Sequence, residues 1–292
     1  MQSKVRPRWH HLLVFIAPAL IIYSIFMAWP LLDSLRMSFY TRAAEGNTFV
    51  GFENYLRILS RNDGAVFHIL INTFEFIGII MFVGNPIALL LASLLASSTL
   101  RWKQFYRTSI FIPTVMSVVI AGWVWTLMLN PLWGIINDVF IAIGLEKEIP
   151  STGWLGTSGI ALVIVALVAT WQFIGLPMVL FLAALINIDE ELLEAARVDG
   201  ASALELFWKI KFPLILPEFG QVVILTIILN FPAFDIQQVM GGRNAGLMAN
   251  YFYYAYARNP RDATVIGGIM FAVVASASLI YFIVFQRRLI RT

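Results

Sequence analysis

The largest concentration of charged residues in the sequence is the stretch EELLEAARVDGASALELFWKIKFP, which directly follows Asp189. Asp189 can cap a helix N-terminus, because its carboxylate accepts hydrogen bonds from free backbone N–H groups, and Gly200 can end that helix in the left-handed conformation. Ser202 and Glu205 then have the S-x-x-E spacing of a capping box, which begins a second helix. The sequence therefore predicts two short helices joined at a glycine over residues 189–213.

Residue spacing gives the first of these helices two different faces. One face is apolar and is expected to contact the rest of the chain; it carries Leu192, Leu193 and Ala196. The other face is mixed and carries Glu191, Glu194, Ala195 and Val198. Such a loop could simply be an amphipathic element at a membrane surface, so the order of its residues has to decide between that interpretation and a more specific one.

Most catalytic chemistry is excluded by what the sequence lacks. There are no cysteines, so disulfides, thiolate nucleophiles and thiolate metal sites are excluded, and the three histidines, His10, His11 and His68, do not have the spacing of zinc ligands. No G-x-x-x-x-G-K-[ST] phosphate loop occurs, so the chain is not itself an ATPase. The sequence therefore predicts no enzyme active site, no metal site and no cofactor bound by this chain.

Composition indicates a protein that lies in a membrane. The 292 residues are 60% hydrophobic, and they include 23 Phe and 9 Trp, more apolar surface than a water-soluble globule of this size can bury. The net charge of +3 is small and its cationic residues are scattered, which argues against nucleic acid as a partner. Six stretches are long and apolar enough to be membrane-spanning helices: 12–39, 66–97, 105–129, 159–186, 214–238 and 264–286.

Lysine and arginine residues in the flanks of the spans predict the orientation. Twelve of the 20 fall on one side: Lys4, Arg6, Arg8, Arg101, Lys103, Arg107, Arg197, Lys209, Lys211, Arg287, Arg288 and Arg291. That side is expected to be the cytoplasm, so both termini and the loop at 189–213 are cytoplasmic. With no internal repeat of fixed period and no low-complexity linker, residues 1–292 are interpreted as a single transmembrane domain.

The order of residues in the loop resembles a known family. EAARVDGA, followed ten residues after Gly200 by IKFP, looks like the EAA loop of binding-protein-dependent ABC importer permeases. The residues that match the pattern are Glu194, Ala195, Ala196, Gly200, Ile210 and Pro213, and Phe212 replaces the usual leucine. The stretches FVGFENY, RTSIFIPTVMSVVIAGWVWTLMLNPLWGIIN and WQFIGLPMVLFLAALINIDEELLEAARVDGAS are similar to marks of the sugar-type subfamily. One departure is Gly241, Gly242 and Arg243, where the family often has Gly-Gly-Pro.

The resemblance implies an all-α, polytopic permease of the type I ABC importer fold in a bacterial or archaeal inner membrane. It implies a coupling helix that docks on a cytoplasmic ATPase through Glu194, Ala195, Ala196, Arg197, Asp199 and Gly200. ATP and Mg would then be bound by two copies of that ATPase. A second permease subunit, usually a different chain, and a soluble or lipid-anchored solute-binding protein would complete the importer.

Two groups of residues inside the spans are candidates for binding the solute. The resemblance places sugar contacts in span four at Trp171, Gln172, Gly175 and Met178, and in span five at Thr226, Asn230 and Ala233, which are spaced four and three apart on one expected helix face. Gln172 and Asn230 are expected to hydrogen bond the sugar, and Trp171 to stack on it. Polar residues in membrane helices also hold helices together, at about 0.6 kcal/mol per pair, and this alternative stays open.

Two carboxylates close to the membrane interior leave a different class of transporter open. Glu75 in span two and Asp235 at the end of span five could couple solute movement to ions, as in a secondary transporter with broken helices. A solvated vestibule or an interhelical hydrogen bond would also accommodate them. A membrane-embedded enzyme is a third interpretation, and it lacks a nucleophile or metal constellation.

Overall fold

The computed structural model describes residues 9–43, 46–60, 64–97, 100–241 and 244–283. Its chain separates into two compact units, one formed by Met1–Gly64 with Phe252–Phe271 and the other by Ala65–Tyr251 with Ala272–Thr292. Most of the described residues are helical, which confirms the all-α class, and the single transmembrane domain over 1–292 stays a prediction.

The smaller unit is built on one long helix and a hairpin. Its elements are α1 (Trp9–Tyr23), a π-helical turn (Ser24–Ala28), α2 (Trp29–Ser38), β1 (Tyr40–Ala43), β2 (Gly46–Phe49) and α3 (Glu53–Leu59). The strands pair antiparallel, with Tyr40 opposite Phe49. Asn54 on α3 donates its side-chain N–H groups to the carbonyl oxygens of Ser38 and Tyr40, which fixes the hairpin against the end of α2.

The larger unit begins with one long helical span. It consists of α4 (Ala65–Ile79), a π-helical turn (Ile80–Gly84) and α5 (Asn85–Ala96). The following elements are α6 (Lys103–Val115), α7 (Val118–Met128), α8 (Ile135–Ala142), a 3-10 turn (Glu146–Glu148), α9 (Ile160–Phe173) and α10 (Gly175–Ile186). Next come α11 (Glu190–Val198), α12 (Ala203–Glu205), a π-helical segment (Leu206–Lys211), α13 (Phe212–Leu214), α14 (Leu216–Asn230) and α15 (Asp235–Met240). The last two helices are α16 (Met248–Arg258) and α17 (Pro260–Tyr281), and each has residues in both units.

Three of the six spans expected from the sequence are straight enough to cross a membrane as single helices, and three are bent pairs. In the described residues the single helices are Val14–Ser38, Ala65–Ala96 and Pro260–Tyr281. The bends are 95° between α6 and α7, 48° between α9 and α10, and 69° between the stretch Ala203–Leu214 and α14. Six spans are therefore consistent with the structure if each bent pair contributes one crossing, the third through α14, with the loop at 189–213 outside the membrane.

Proline explains the bend between α9 and α10. Pro177 has no N–H to donate to the carbonyl of Phe173, and its ring crowds that carbonyl, so the helix kinks one turn before the proline. The sharper corner between α6 and α7 has a different origin, because Met116 and Ser117 leave the helix for extended backbone conformations. Each corner frees backbone carbonyls that need new hydrogen-bond partners.

The packed core of the larger unit lies between α5, α10 and α14. Ala88 and Ala92 are fully buried and let α5 approach α10 closely, while Phe181 fills the space beside them. The ring of Phe181 stacks on that of Phe219, with centroids 5.7 Å apart. This core holds the kinked span α9–α10 and the start of α14 in fixed relative positions.

Candidate functional site

The first helix of the loop at 189–213 has the two ends expected from the sequence. The Asp189 carboxylate accepts a hydrogen bond from the backbone N–H of Glu191 at 3.0 Å. At the other end Gly200 has φ +86°, its N–H donates to the Arg197 carbonyl, and the N–H of Ala201 donates to the Ala196 carbonyl. This pair of bonds is a Schellman motif, so the glycine is required for its backbone conformation.

A complete capping box begins the second helix. The backbone N–H of Glu205 donates to the Ser202 hydroxyl at 3.3 Å, and the backbone N–H of Ser202 donates to the Glu205 carboxylate at 3.1 Å. Lys209, one turn further on, forms an ion pair with the same carboxylate at 2.8 Å. The Lys209 hydrogen bond and then the Ser202 hydrogen bonds lower the pKa of Glu205 to about 2.

The two faces of α11 differ in exposure, with one departure from expectation. Ala196 is buried, at 9% exposed, and Leu193 is half-buried, as the spacing predicts. Leu192 is 46% exposed, so the expectation that it faces the rest of the chain is wrong. The reason is geometric: the short helix contacts the protein along the line through Leu193 and Ala196, and Leu192 lies about 100° around the helix from Leu193.

The remaining loop residues form an exposed surface, which we call the coupling face. Its members are exposed side chains and one glycine: Glu194, Ala195, Arg197, Val198, Asp199 and Gly200. Val198 is 86% exposed, although it is apolar. A small surface that combines an acid, a base and bare aliphatic carbon is suited to contact with another protein.

A cavity of about 320 Å³ lies within the larger unit, between α9, α10, α14 and the long span α4–α5. Most of its lining is apolar, and five lining residues carry polar side chains: Asn85, Thr114, Thr170, Thr226 and Asn230. A cavity with a mostly apolar wall and a few placed polar groups has the composition of a small-molecule site.

Hydrogen bonds fix the polar groups of this cavity in place. The Asn85 side-chain N–H donates to the Thr226 hydroxyl at 3.1 Å, and that hydroxyl can donate to the Val222 carbonyl at 2.8 Å. Asn230 donates to the Thr226 carbonyl at 2.9 Å, so its donor is held within its own helix. The side-chain oxygen of Asn230 forms no hydrogen bond with a described residue.

The structure brings only two of the seven expected solute-binding residues to this cavity, Thr226 and Asn230. Ala233 lies outside α14, which ends at Asn230, so the expectation of one helix face shared by all three residues of span five is wrong. The following Pro232 has no N–H to continue the helical hydrogen bonds. Thr226 and Asn230 do share a face, one turn apart.

The span-four residues are placed differently from expectation. Gln172 is fully buried, and its side-chain N–H donates to the Met116 carbonyl at 3.2 Å, a carbonyl freed by the corner between α6 and α7. Gly175 allows close approach to α6, because an added Cβ would lie 2.6 Å from the Thr114 hydroxyl oxygen. Met178 is buried in the core and does not line an opening, contrary to expectation.

Trp171 lines a second, apolar pocket of the larger unit. Its ring packs edge to face against Trp125, with centroids 5.6 Å apart, and Phe140 and Trp154 complete the aromatic wall. Trp154 donates its indole N–H to the side-chain oxygen of Asn137 at 2.7 Å. Trp171 and Gln172 are therefore adjacent in sequence, but they contact different parts of the protein.

Sequence reasoning missed Asn85 and Thr170 in the wall of the cavity. Asn85 did carry a signal, since it is an amide directly before Pro86 in the middle of an apolar span. Thr170 packs against Gly84, where an added Cβ would lie 2.9 Å from the threonine methyl group. No sequence pattern pairs those two residues, because they come from different spans.

The fold and the site define a polytopic helical protein with a cavity inside its helices and an exposed two-helix loop outside them. Residues 84–291 match the family described as the binding-protein-dependent transport system inner membrane component, and this match covers more than half of the chain. The chain belongs to that family. Gly242 and Arg243, where the sequence departs from the family pattern, lie outside the described residues.

Curated relatives and solved structures agree with this assignment. The chain is 34% identical to the lactose transport system permease protein LacF of Rhizobium radiobacter over 76% of its length and 73% of the relative. It is 33% identical to the sn-glycerol-3-phosphate transport system permease protein UgpA of Agrobacterium fabrum, over 88% of this chain and 86% of that protein. A bacterial alginate ABC transporter, solved with an alginate pentasaccharide-bound periplasmic protein, has the same fold, with a TM-score of 0.79 and 21% identity over 94% of each chain.

Family membership decides between the classes left open by the sequence. The chain is a permease subunit of an ABC importer and a multi-pass protein of the inner membrane, and it is not an enzyme. The ion-coupled secondary transporter and the membrane-embedded enzyme are thereby excluded as interpretations.

Proposed function

We propose that this chain is the permease subunit of an importer for a sugar or sugar derivative. Support comes from its relatives, whose names specify lactose, arabinooligosaccharides and sn-glycerol-3-phosphate, all polyhydroxylated solutes. Their shared chemistry is a set of hydroxyl groups on a compact carbon skeleton. A site for such a solute needs several fixed hydrogen-bonding groups in an otherwise apolar wall.

The cavity in the larger unit is proposed as this chain's part of the solute pathway. Asn230 offers a free side-chain oxygen to a hydroxyl group, and Asn85 and Thr226 present polar atoms already held by hydrogen bonds. Preorganised groups of this kind bind a solute without first having to be ordered. Gln172 is proposed to act indirectly, since it holds the corner between α6 and α7 and with it the position of Thr114.

The coupling face is proposed to bind a cytoplasmic ATPase, and this is the feature that carries the mechanism. Glu194 and Arg197 can form charge-assisted contacts, Ala195 and Gly200 allow close approach, and Asp199 adds a second acidic group. Ala196 is proposed to anchor the helix to its own protein, because its side chain is turned inward. ATP and Mg are bound by the ATPase, and closure of that protein around ATP moves α11 as a rigid body.

The full importer is proposed to contain five polypeptides around one pathway, with the solute between two permease subunits. A second permease subunit, a different chain as is usual for sugar-type members, provides the other half of the pathway. Two copies of the ATPase bind at the cytoplasmic loops, and a soluble or lipid-anchored binding protein delivers the solute.

The test is purification of the tagged full-length chain from its native host in mild detergent, followed by identification of co-purifying chains and assay of ATP hydrolysis. Recovery of an ATPase and a second permease, with ATP hydrolysis in the complex, is the expected result. Glu194→Lys should reduce recovery of the ATPase, while Lys147→Glu, a charge reversal in a different loop, should leave it unchanged. A chain that purifies alone and binds no ATPase would contradict the proposal.

A further inference from the structure

One charged residue of the larger unit lies in an unexpected place for a membrane span. Glu75 is the only Asp, Glu, Lys or Arg in the 32-residue helix Ala65–Ala96. Its side chain is exposed, and it forms no ion pair or hydrogen bond with any residue in the part of the chain that the structure describes. Three exposed residues share its helix face: Ile71 and Phe82, which are apolar, and His68, which is polar and lies two turns before Glu75.

A helix of this length, when centred in a bilayer, places Glu75 in the hydrocarbon region. A 32-residue helix is about 48 Å long, and the hydrocarbon core is about 30 Å thick, so about 9 Å extends beyond it at each end when the helix is centred. Glu75 lies ten residues from the first residue of the helix, or about 15 Å along it, which is inside the core. A carboxylate at that depth is rare, and it is normally paired with a cation or faces a polar cavity.

The cavity of this chain does not solvate Glu75. The cavity wall takes Ile80, Gly84 and Asn85 from this span, whereas the helix buries Thr73, Phe76 and Ile77 against its own protein. Glu75 lies on the side of the helix opposite to these buried residues, and its side chain is exposed. No described residue of the larger unit pairs with Glu75, so its carboxylate is available to a partner.

The same face has room for another helix to approach. Gly78 is one turn after Glu75, and an added Cβ at Gly78 would meet nothing within 4 Å. Small residues on a membrane helix let a second helix pack close to the backbone, where dispersion contacts and hydrogen bonds are strongest. Glu75 and Gly78 thus combine a charge that needs pairing with a surface suited to helix packing.

We propose that the face of Glu75 and Gly78 is the docking surface for a transmembrane helix of the second permease subunit, which pairs a lysine or arginine with Glu75. This inference rests on the proposed function, since it needs a second permease. The expected occupant is a protein helix that carries a cation, because lipid tails offer the Glu75 carboxylate no partner.

The experiment uses the intact complex with a photoreactive amino acid at Ile71, one turn before Glu75 on the same face, so that Glu75 itself is retained. Illumination should produce a covalent adduct with the second permease subunit, and peptide mapping should find a lysine or arginine near the attachment point. Adducts with lipid alone, or with the solute-binding protein, would overturn the proposal.

Charge variants provide the second measurement. Glu75→Lys should lower recovery of the second permease with the tagged chain about tenfold, and Glu75→Gln, which has the same shape without charge, by a smaller factor. Changing the mapped cation of the partner to glutamate should restore recovery in the Glu75→Lys background. Equal recovery by wild type and Glu75→Lys would overturn the inference alone, whereas wild-type chain that recovers no second permease would overturn the proposed function itself.

Discussion

At the scale of single residues, burial and location distinguish a positioning role from a solute-binding one. Gln172 and Asn230 are both amides in membrane spans, and sequence reasoning assigned them the same role. Both side chains donate to a backbone carbonyl, and neither side-chain oxygen has a partner among the described residues. The difference is that Gln172 is fully buried at a helix corner, whereas Asn230 lines a cavity. The two residues should therefore respond differently to the same substitution.

We expect Gln172→Ala to lower stability and Asn230→Ala to lower solute affinity. Loss of Gln172 removes the side-chain partner of the part-buried Met116 carbonyl, which costs about 1 kcal/mol and should lower the Tm of the purified complex. Loss of Asn230 removes a contact to the solute and should raise the KM for uptake about tenfold with little change in Tm. Thermal unfolding and uptake kinetics on both variants check this. An unchanged KM for Asn230→Ala would contradict solute binding and favour a role for Asn230 in helix packing.

At the scale of elements, the loop Asp189–Pro213 forms two helices whose caps are made by residues of the loop itself. Its Schellman motif and capping box follow one another without a spacer, so the direction of the second helix depends on the conformation of Gly200. Neighbouring residues satisfy the helix ends on both sides of Gly200, and this stiffness is what the proposed coupling role requires.

Gly200→Ala should uncouple uptake from ATP hydrolysis at a modest cost in stability. A left-handed alanine costs about 1 kcal/mol, which favours a changed angle between the two loop helices. Gly144 is the matched control, because its φ is +79° and its surroundings are equally open, but it lies in a different loop. ATP hydrolysis and uptake measured on the reconstituted complex should separate for Gly200→Ala only, and the same loss in both variants would contradict this role.

The capping box should give the second loop helix a particular pH dependence. The pKa of Glu205 is lowered from 4.5 to about 2 in the folded chain. The stability that the Glu205 carboxylate gives to the second loop helix is therefore fully present above pH 4.5 and is lost as the pH falls toward 2. Hydrogen exchange of the amides at 202–206 should show decreasing protection between pH 5 and pH 2, after correction for intrinsic exchange rates. Glu205→Gln should remove most of this change, and an identical pH profile in the variant would contradict the assignment.

At the scale of the whole molecule, family membership and surface composition both indicate a protein that functions in an assembly. The chain carries no phosphate loop, and its coupling face is exposed. Family membership favours an ABC importer over ion coupling at Glu75 or Asp235, and under the proposed function the energy reaches this chain through the loop.

Uptake by the reconstituted importer should accordingly depend on ATP and not on ion gradients. Ionophores that collapse proton and sodium gradients should leave the initial uptake rate unchanged, and removal of ATP from the ATPase side should abolish it. Proteoliposomes loaded with ATP or with ADP, each with and without ionophore, provide the four conditions needed. Sensitivity to ionophore at constant ATP would contradict an ATP-driven mechanism.

The sequence by itself determined the class of protein, the loop and most of the span boundaries. Hydropathy, caps and the EAA pattern are local, because each depends on residues close together in the chain. Asp189, Gly200, Ser202 and Glu205 were predicted in their actual roles for this reason.

Only the tertiary structure decided which intramembrane residues share a cavity. Asn85 meets Thr226 across 141 positions of sequence, and Gln172 finds its partner at a corner whose 95° bend no local pattern predicts. Trp171 lies on a face of α9 that lines a different pocket, and Ala233 lies beyond the end of α14, so neither residue reaches the expected site. Which side chains meet is set by how kinked helices pack, and that packing depends on the whole core between α5, α10 and α14.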